Sequence, residues 1–147
     1  MMRGAAIKTA ESLLHTGSWM PDRIIKARFI EPMLLPRTDM LPSGRDMSFE
    51  LKWDGYRALL MKDARGTRLL SRNLKDLTSD YLHIAAAAAD VSRESMMLDG
   101  EIVALDEHGR PSFQALQHRS VTRSAVVFYT FDLLHLDGES LLDRSLA

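Results

Sequence analysis

Glu50-Leu51-Lys52-Trp53-Asp54-Gly55-Tyr56-Arg57 is the stretch on which the reading of this chain turns. Within it and just upstream, Met47, Phe49, Leu51 and Trp53 alternate with Ser48, Glu50, Lys52 and Asp54. That is the period-2 pattern of a half-buried β-strand. On this reading a lysine and two carboxylates share one face, and a glycine follows at once. An amine between acids, where backbone can come close, suits a lysine that attacks a phosphate with help from a metal or a base. Lys-x-Asp-Gly is a short pattern, and the bland reading of Lys52 is a solvated strand lysine.

Working outward, the strand is expected to turn at Asp54-Gly55 and continue over 56–61. Residues 62–66 read as a turn and 67–71 as the returning strand. Thr78 or Ser79 can N-cap a helix running through the alanines at 85–89, where alanine propensity is the driver. Met96–Leu105 reads as a strand, and residues 106–109 as a β-turn with Asp first and Gly last. Residues 111–119 read as a short helix with Pro111 near its start. Ala125–Leu136 is a strongly apolar strand that Asp137-Gly138 turns. Upstream, Pro32, Pro36, Pro42 and Gly44 mark an extended approach. Residues 1–28, broken by Gly17 and Pro21, read as an extension or linker, which leaves 29–147 as one α+β domain.

Bulk properties bound the function. A chain of 147 residues can bury a real core. Its net charge of −1 gives no overall electrostatic footprint for nucleic acid, so any such surface must be a local patch. The absence of cysteine excludes a disulfide scaffold and thiolate-bound metal. No apolar run is long enough to span a bilayer, and Ala10-Glu11-Ser12 interrupts any secretory apolar segment. The expectation is a soluble, cytoplasmic protein with no membrane partner.

Four constellations carry chemistry: Lys52 with Asp54, Gly55 and Arg57; the polar run Ser71-Arg72-Asn73-Leu74-Lys75-Asp76; Leu98-Asp99-Gly100-Glu101; and Phe128-Tyr129-Thr130-Phe131-Asp132. Each has a structural reading. Arg72 and Lys75 fit an ordinary charged loop, Asp99-Gly100 a bulge, and Phe131 a core position. Carboxylates buried in strands are costly unless paired or bound to something, and the pattern puts them at Asp54, Glu101 and Asp132.

In order and spacing these four segments resemble the ATP-dependent DNA ligases, in particular the N-terminal part of the nucleotidyltransferase (adenylation) domain of the bacterial end-joining type. Phe29-Ile30-Glu31-Pro32-Met33-Leu34 resembles the segment that opens that module. Glu50 to Arg57 resembles its first motif, 71–78 its second, 98–105 its third and 131–138 the next. Gly109-Arg110-Pro111-Ser112-Phe113-Gln114 resembles the stretch between the last two. The resemblance covers about residues 29–146. It implies an α+β, ATP-grasp-like nucleotidyltransferase fold of mainly antiparallel sheets with flanking helices.

The resemblance also implies roles. Lys52 would be the nucleophile that takes AMP from ATP, and it must shed a proton to attack, which nearby cations or a metal favour. Glu50 would accept from the adenine amine, and Arg57 and Arg72 would grip ribose or phosphate through charge-assisted forks. Glu101 would accept from a ribose hydroxyl, Phe131 would stack on adenine, and Asp54 would position a magnesium (or manganese) ion. Asp99 and Asp132 stay open between site support and structural hydrogen bonding. The implied partners are nicked double-stranded DNA, with a separate C-terminal ligase half or end-joining proteins as further candidates.

Departures from the family pattern qualify this. Leu74 stands where the family usually has glycine, which points to a different backbone course after Asn73. The chain has no Glu-Gly dipeptide, and its lysines, at 8, 26, 52, 62 and 75, form no Lys-x-Lys. Both patterns belong to the family's later motifs, so the domain is expected to be incomplete at its C-terminus and weak or inactive alone. The alternatives are a non-catalytic nucleotide- or DNA-binding module and, with a poorer fit in the flanking segments, an RNA ligase or capping-type nucleotidyltransferase.

Overall fold

The structure, a computed structural model, describes residues 29–33, 39–40, 50–118 and 125–145. Among these described residues, five strands form one antiparallel sheet: β1 (Tyr56–Asp63), β2 (Gly66–Ser71), β3 (Met96–Leu105), β4 (Ala125–Leu136) and β5 (Glu139–Ser140), in the spatial order β2-β1-β3-β4-β5. Two short helices, α1 (Leu82–Ala89) and α2 (Phe113–Gln117), belong to the connections on either side of β3. The expected α+β architecture with a mainly antiparallel sheet is present. The N-terminal extension at 1–28, with Met47, Ser48, Phe49 and Arg119, lies outside the described residues.

Alternation along the strands sorts side chains onto two faces. Ala58, Leu60, Leu69, Leu98, Ile102 and Phe128 form the first face, and Tyr81, Ile84, Ala88 and Leu116 cover it from the helical connections. Leu59, Met61, Leu70, Met97 and Leu134 form a second, smaller cluster, with Phe29 and Ile30 packed against it. Burial of each such aliphatic side chain contributes about 1.5–3 kcal/mol. The eight residues of α1 are too few to be stable alone. The helix is held by packing and by Lys62, whose Nζ donates to the carbonyls of Ala89 (2.7 Å) and Val91 (2.6 Å) at its C-terminal end.

Three local expectations need correction. Residues 50–54 are not a strand: the ladder starts at Tyr56, and Leu51 is 77% exposed. The alternation there does not set a strand: Trp53 stacks on Tyr129, and the chain comes against β3 only at Gly55, where a Cβ would collide with the Ile102 carbonyl. Asp54, expected to be buried, is exposed. The second correction concerns Thr78, whose side chain caps no helix. Its hydroxyl accepts from the Leu69 N–H (2.9 Å), tying the loop to β2, and a 3₁₀ turn over Ser79–Tyr81 precedes α1. Third, Pro111 stands before α2 rather than in its first turn. Ser112 is the N-cap, its Oγ accepting from the Ala115 N–H at 3.3 Å.

The turn at 106–109 forms as expected, with the Gly109 N–H donating to the Asp106 carbonyl (3.0 Å) at a glycine φ of 75°. The β3–β4 ladder shifts register between Met97 and Leu98 and again between Asp99 and Gly100, which leaves Leu134 and Phe131 as extra residues on β4. Such bulges re-aim side chains at a strand's face. Gly100 sits at the second shift because nothing larger fits: a Cβ there would collide with the Tyr129 carbonyl and come 2.6 Å from Phe128 Cζ. Gly100→Ala is expected to destabilise the fold by about 1–3 kcal/mol through overpacking, read as a lower urea midpoint.

Candidate active site

Antiparallel pairing of β1, β3 and β4 brings one row of side chains together on the second face. Arg57 stands across from Glu101, and Glu101 across from Tyr129. Arg57 also reaches diagonally to Asp99, with Nε to Oδ1 at 2.8 Å and Nη2 to Oδ2 at 2.7 Å. The Asp99 side chain is 5% exposed, so this fork is what makes a carboxylate tolerable inside β3. The same guanidinium lies 4.6 Å from the centroid of the Phe131 ring, a cation–π contact. The Asp99 fork, together with the charges of Glu101 and Asp132, holds the Arg57 guanidinium still more firmly protonated than usual.

Residues 50–55 fold over this row. The Trp53 and Tyr129 rings stack with centroids 3.8 Å apart and planes 7° from parallel. The backbone at Gly55 packs against the Glu101 side chain, near enough to favour its ionised carboxylate. Lys52, between these anchors and the solvent, lines a cavity of about 720 Å³ together with Arg57, Arg72, Lys75 and Glu101. With Arg57 neutralised by Asp99, the cations of Lys52, Arg72 and Lys75 still outnumber the Glu101 carboxylate and give this cavity a positive field that the chain's net charge of −1 conceals, and such a field favours phosphate.

The second motif supplies the cavity's far wall. After β2 the chain turns at once: the Leu74 N–H donates to the Ser71 carbonyl (2.9 Å), the Ser71 N–H donates to the Lys75 carbonyl (2.9 Å), and the Lys75 N–H donates to Ser71 Oγ (3.1 Å). This tight loop exposes Arg72, Asn73 and Lys75 beside the nucleophile candidate. Leu74 takes φ of 62°, the left-handed region natural to glycine, with its side chain 59% exposed.

Of the residues singled out from sequence, Lys52, Arg57, Arg72 and Glu101 meet at the cavity. Glu50 and Asp54 are exposed outside its lining, and Phe131 lies beneath Arg57. Asp99 serves Arg57 as a structural partner. Sequence reading missed the Trp53–Tyr129 stack and the place of Lys75 in the cavity wall. The aromatic residues beside the lysine and in β4 were visible, but no sequence signal pairs them.

For a divalent metal the donor chemistry fits in outline. The Asp54 carboxylate is near enough to act on the charge of Glu101, and magnesium is commonly held by one or two carboxylates plus substrate phosphates. Among the described residues no three His, Asp or Glu side chains cluster as a self-sufficient metal site.

A family model described as "ATP dependent DNA ligase domain" matches residues 32–147. The chain belongs to this family. Over 95 aligned residues it is 46% identical to the multifunctional non-homologous end joining DNA repair protein LigD of Mycobacterium tuberculosis (strain ATCC 25618 / H37Rv), covering 65% of this chain and 12% of that protein. A probable DNA ligase of Kineococcus radiotolerans is 33% identical over 153 aligned residues, 99% of this chain and 28% of the relative. Among solved structures, the ligase domain from M. tuberculosis LigD matches with a TM-score of 0.58 at 44% identity, over 65% of this chain and 31% of that one. A structure described as mycobacterial DNA ligase D complexed with ATP and MES matches with the same TM-score, identity and coverage. The ligase-family chain thus spans less than a third of the length of these two curated relatives.

The geometry of this site makes two predictions. Relief of the left-handed strain at Leu74 is worth about 1–2 kcal/mol, less the roughly 0.5–1 kcal/mol cost of glycine's freedom. Leu74→Gly is therefore expected to raise the thermal midpoint by about 1–4 °C. For Glu101, burial pushes the carboxyl above its ordinary 4.5 and outweighs the opposing influence of Arg57, the Gly55 N–H and Lys52. A carboxyl that holds its proton more tightly when folded stabilises fully below its unfolded value and loses that contribution as pH rises through the folded one. Glu101→Gln should match the wild-type urea midpoint at about pH 4 and exceed it at about pH 7.

Proposed function

We propose that this chain carries the lysine-adenylating part of an ATP-dependent DNA ligase, with an ATP-grasp-like adenylation fold over 29–147 preceded by an extension. It would act in the cytoplasm in sealing nicked double-stranded DNA during end-joining repair, beside the remaining ligase segments or end-joining proteins. The observation that carries the reading is the placement of Lys52 at a positively charged cavity, in a chain that belongs to the DNA ligase family.

The reaction begins with the Lys52 Nζ lone pair forming a bond to the α-phosphorus of ATP. The bond from that phosphorus to the bridging oxygen of the β-phosphate breaks, pyrophosphate leaves, and an amine proton passes to solvent. The product is a phosphoramidate carrying AMP. Arg72 and Lys75 at the cavity wall neutralise phosphate charge, and holding the reactants in line supplies much of the rate gain. Arg57 contributes its field from a fixed position, since its fork is given to Asp99. Glu101 orients the loop through Gly55 and offers a carboxylate to a ribose hydroxyl. Glu50 and Phe131 serve adenine in this reading, with Phe131 already faced by Arg57 on one side. Magnesium or manganese, when bound with ATP near Asp54, supplies charge neutralisation at the phosphates. The AMP would then pass to the 5′-phosphate of a nick and leave as the 3′-hydroxyl closes the strand.

Incubation with α-labelled ATP and magnesium, followed by a denaturing gel and mass spectrometry, tests this. Covalent AMP is expected on Lys52 and absent from Lys52→Ala. Label surviving in Lys52→Ala would remove the assignment, and no label in the native chain would favour a module that binds nucleotide or DNA without chemistry.

A further inference from the structure

We propose that the Trp53–Tyr129 stack is a positioning clamp for Lys52, which fixes the amine in the cavity so that phosphate attack is set by geometry rather than by search. The proposal rests on the reading of Lys52 as the nucleophile and adds two residues to it.

Among the described residues, the segment that carries Lys52 forms no hydrogen-bonded ladder, and β1 begins only at Tyr56. Its side chains give it little purchase: Glu50, Leu51, Lys52 and Asp54 are all exposed. Trp53 is the exception. Its ring lies flat on Tyr129, 3.8 Å between centroids and 7° from parallel. The next attachment is Gly55, where the backbone lies against the Ile102 carbonyl and the Glu101 side chain. Both attachments land on one cross-strand row, since Tyr129 and Glu101 face each other across β3 and β4.

Two points separated along a chain define its direction, whereas one leaves it free to swing. With Gly55 alone, the segment pivots about a residue that has no side chain to restrain it. With Trp53 seated as well, the Lys52 backbone is adjacent to a ring held on the sheet. The bulge at Phe131, two residues beyond Tyr129, changes the pairing of β4 next to the clamp. The contact is between ring faces, so the Tyr129 hydroxyl is not what the clamp requires.

The test follows the rate of covalent AMP formation in the full chain. At saturating ATP, Trp53→Ala and Tyr129→Ala are expected to slow labelling by about tenfold or more, because small misplacements of reacting groups are costly. The ATP concentration for half-saturation should move by less than about twofold, since neither ring faces the nucleotide cavity as a binding group. Tyr129→Phe should label at the wild-type rate. A purely structural role for the aromatic pair would not give this split between rate and half-saturation.

A second measurement does not depend on catalysis. In Trp53→Ala and Tyr129→Ala, amide hydrogen exchange across residues 50–56 should quicken, and in Tyr129→Phe it should not. Trp53 lies outside every strand, and far-UV circular dichroism of each variant separates loss of the clamp from loss of fold. Wild-type labelling in Trp53→Ala, or unchanged exchange in both alanine variants, would overturn the clamp while leaving Lys52 as nucleophile. Equal slowing by Tyr129→Phe and Tyr129→Ala would overturn it in favour of a role for the hydroxyl. Label retained in Lys52→Ala, with exchange responding as expected, would instead remove the nucleophile and leave the clamp.

Discussion

The forked ion pair between Arg57 and Asp99 is the interaction that the site depends on most. β3 is the middle strand of the sheet, flanked on both edges, yet it contains two carboxylates separated only by Gly100. An unpaired carboxylate at the depth of Asp99 would be costly by several kcal/mol. Arg57 answers that cost with two short hydrogen bonds from the adjacent strand. Doing so also fixes the guanidinium over Phe131 and beside Glu101. One contact thus sets a cation, an aromatic ring and a second carboxylate at the same place on the sheet.

Glu101 is treated differently, and the contrast explains the division of labour. It lacks a fork of its own and is half-buried, so desolvation dominates its protonation despite the cations nearby. What it does meet is the backbone at Gly55, where the lysine-bearing segment comes onto the sheet. Asp99 is thus held inside the sheet by Arg57, while Glu101 lines the cavity. Neighbouring acids of identical chemistry are separated in role by which partners the strand register gives them.

Much of the fold was legible because strands in this chain are written as apolar runs bounded by turn chemistry. Met96–Leu105 and Ala125–Leu136 have the bounds read from sequence, and Asp106 to Gly109 forms the turn its residue types require. The failures have a common cause in tertiary contacts that outcompete local pattern. Alternation around Leu51 and Trp53 mimics a strand, but Trp53 is drawn to Tyr129, far along the chain, and Leu51 is left in solvent. Thr78 has the residue type for a cap, yet a backbone donor in β2 claims its hydroxyl. Arg57 reads as a ribose or phosphate ligand, and only the β1–β3 register shows that it also forks onto Asp99. The site's cations were visible one by one; their convergence on a single cavity was not, because it depends on which strand lies beside which.

The sheet order carries a consequence for how this chain can be made. β1 and β2 form a hairpin, β3 joins on the free side of β1, β4 on the free side of β3, and β5 on the free side of β4. β3 adds at the open edge of β1 and each later strand at the edge left open by the one before it, so none must be inserted between two strands already paired. As the chain leaves the ribosome, the sheet can therefore grow in one direction at the pace of translation, with the Arg57–Asp99 fork closing as soon as β3 has emerged.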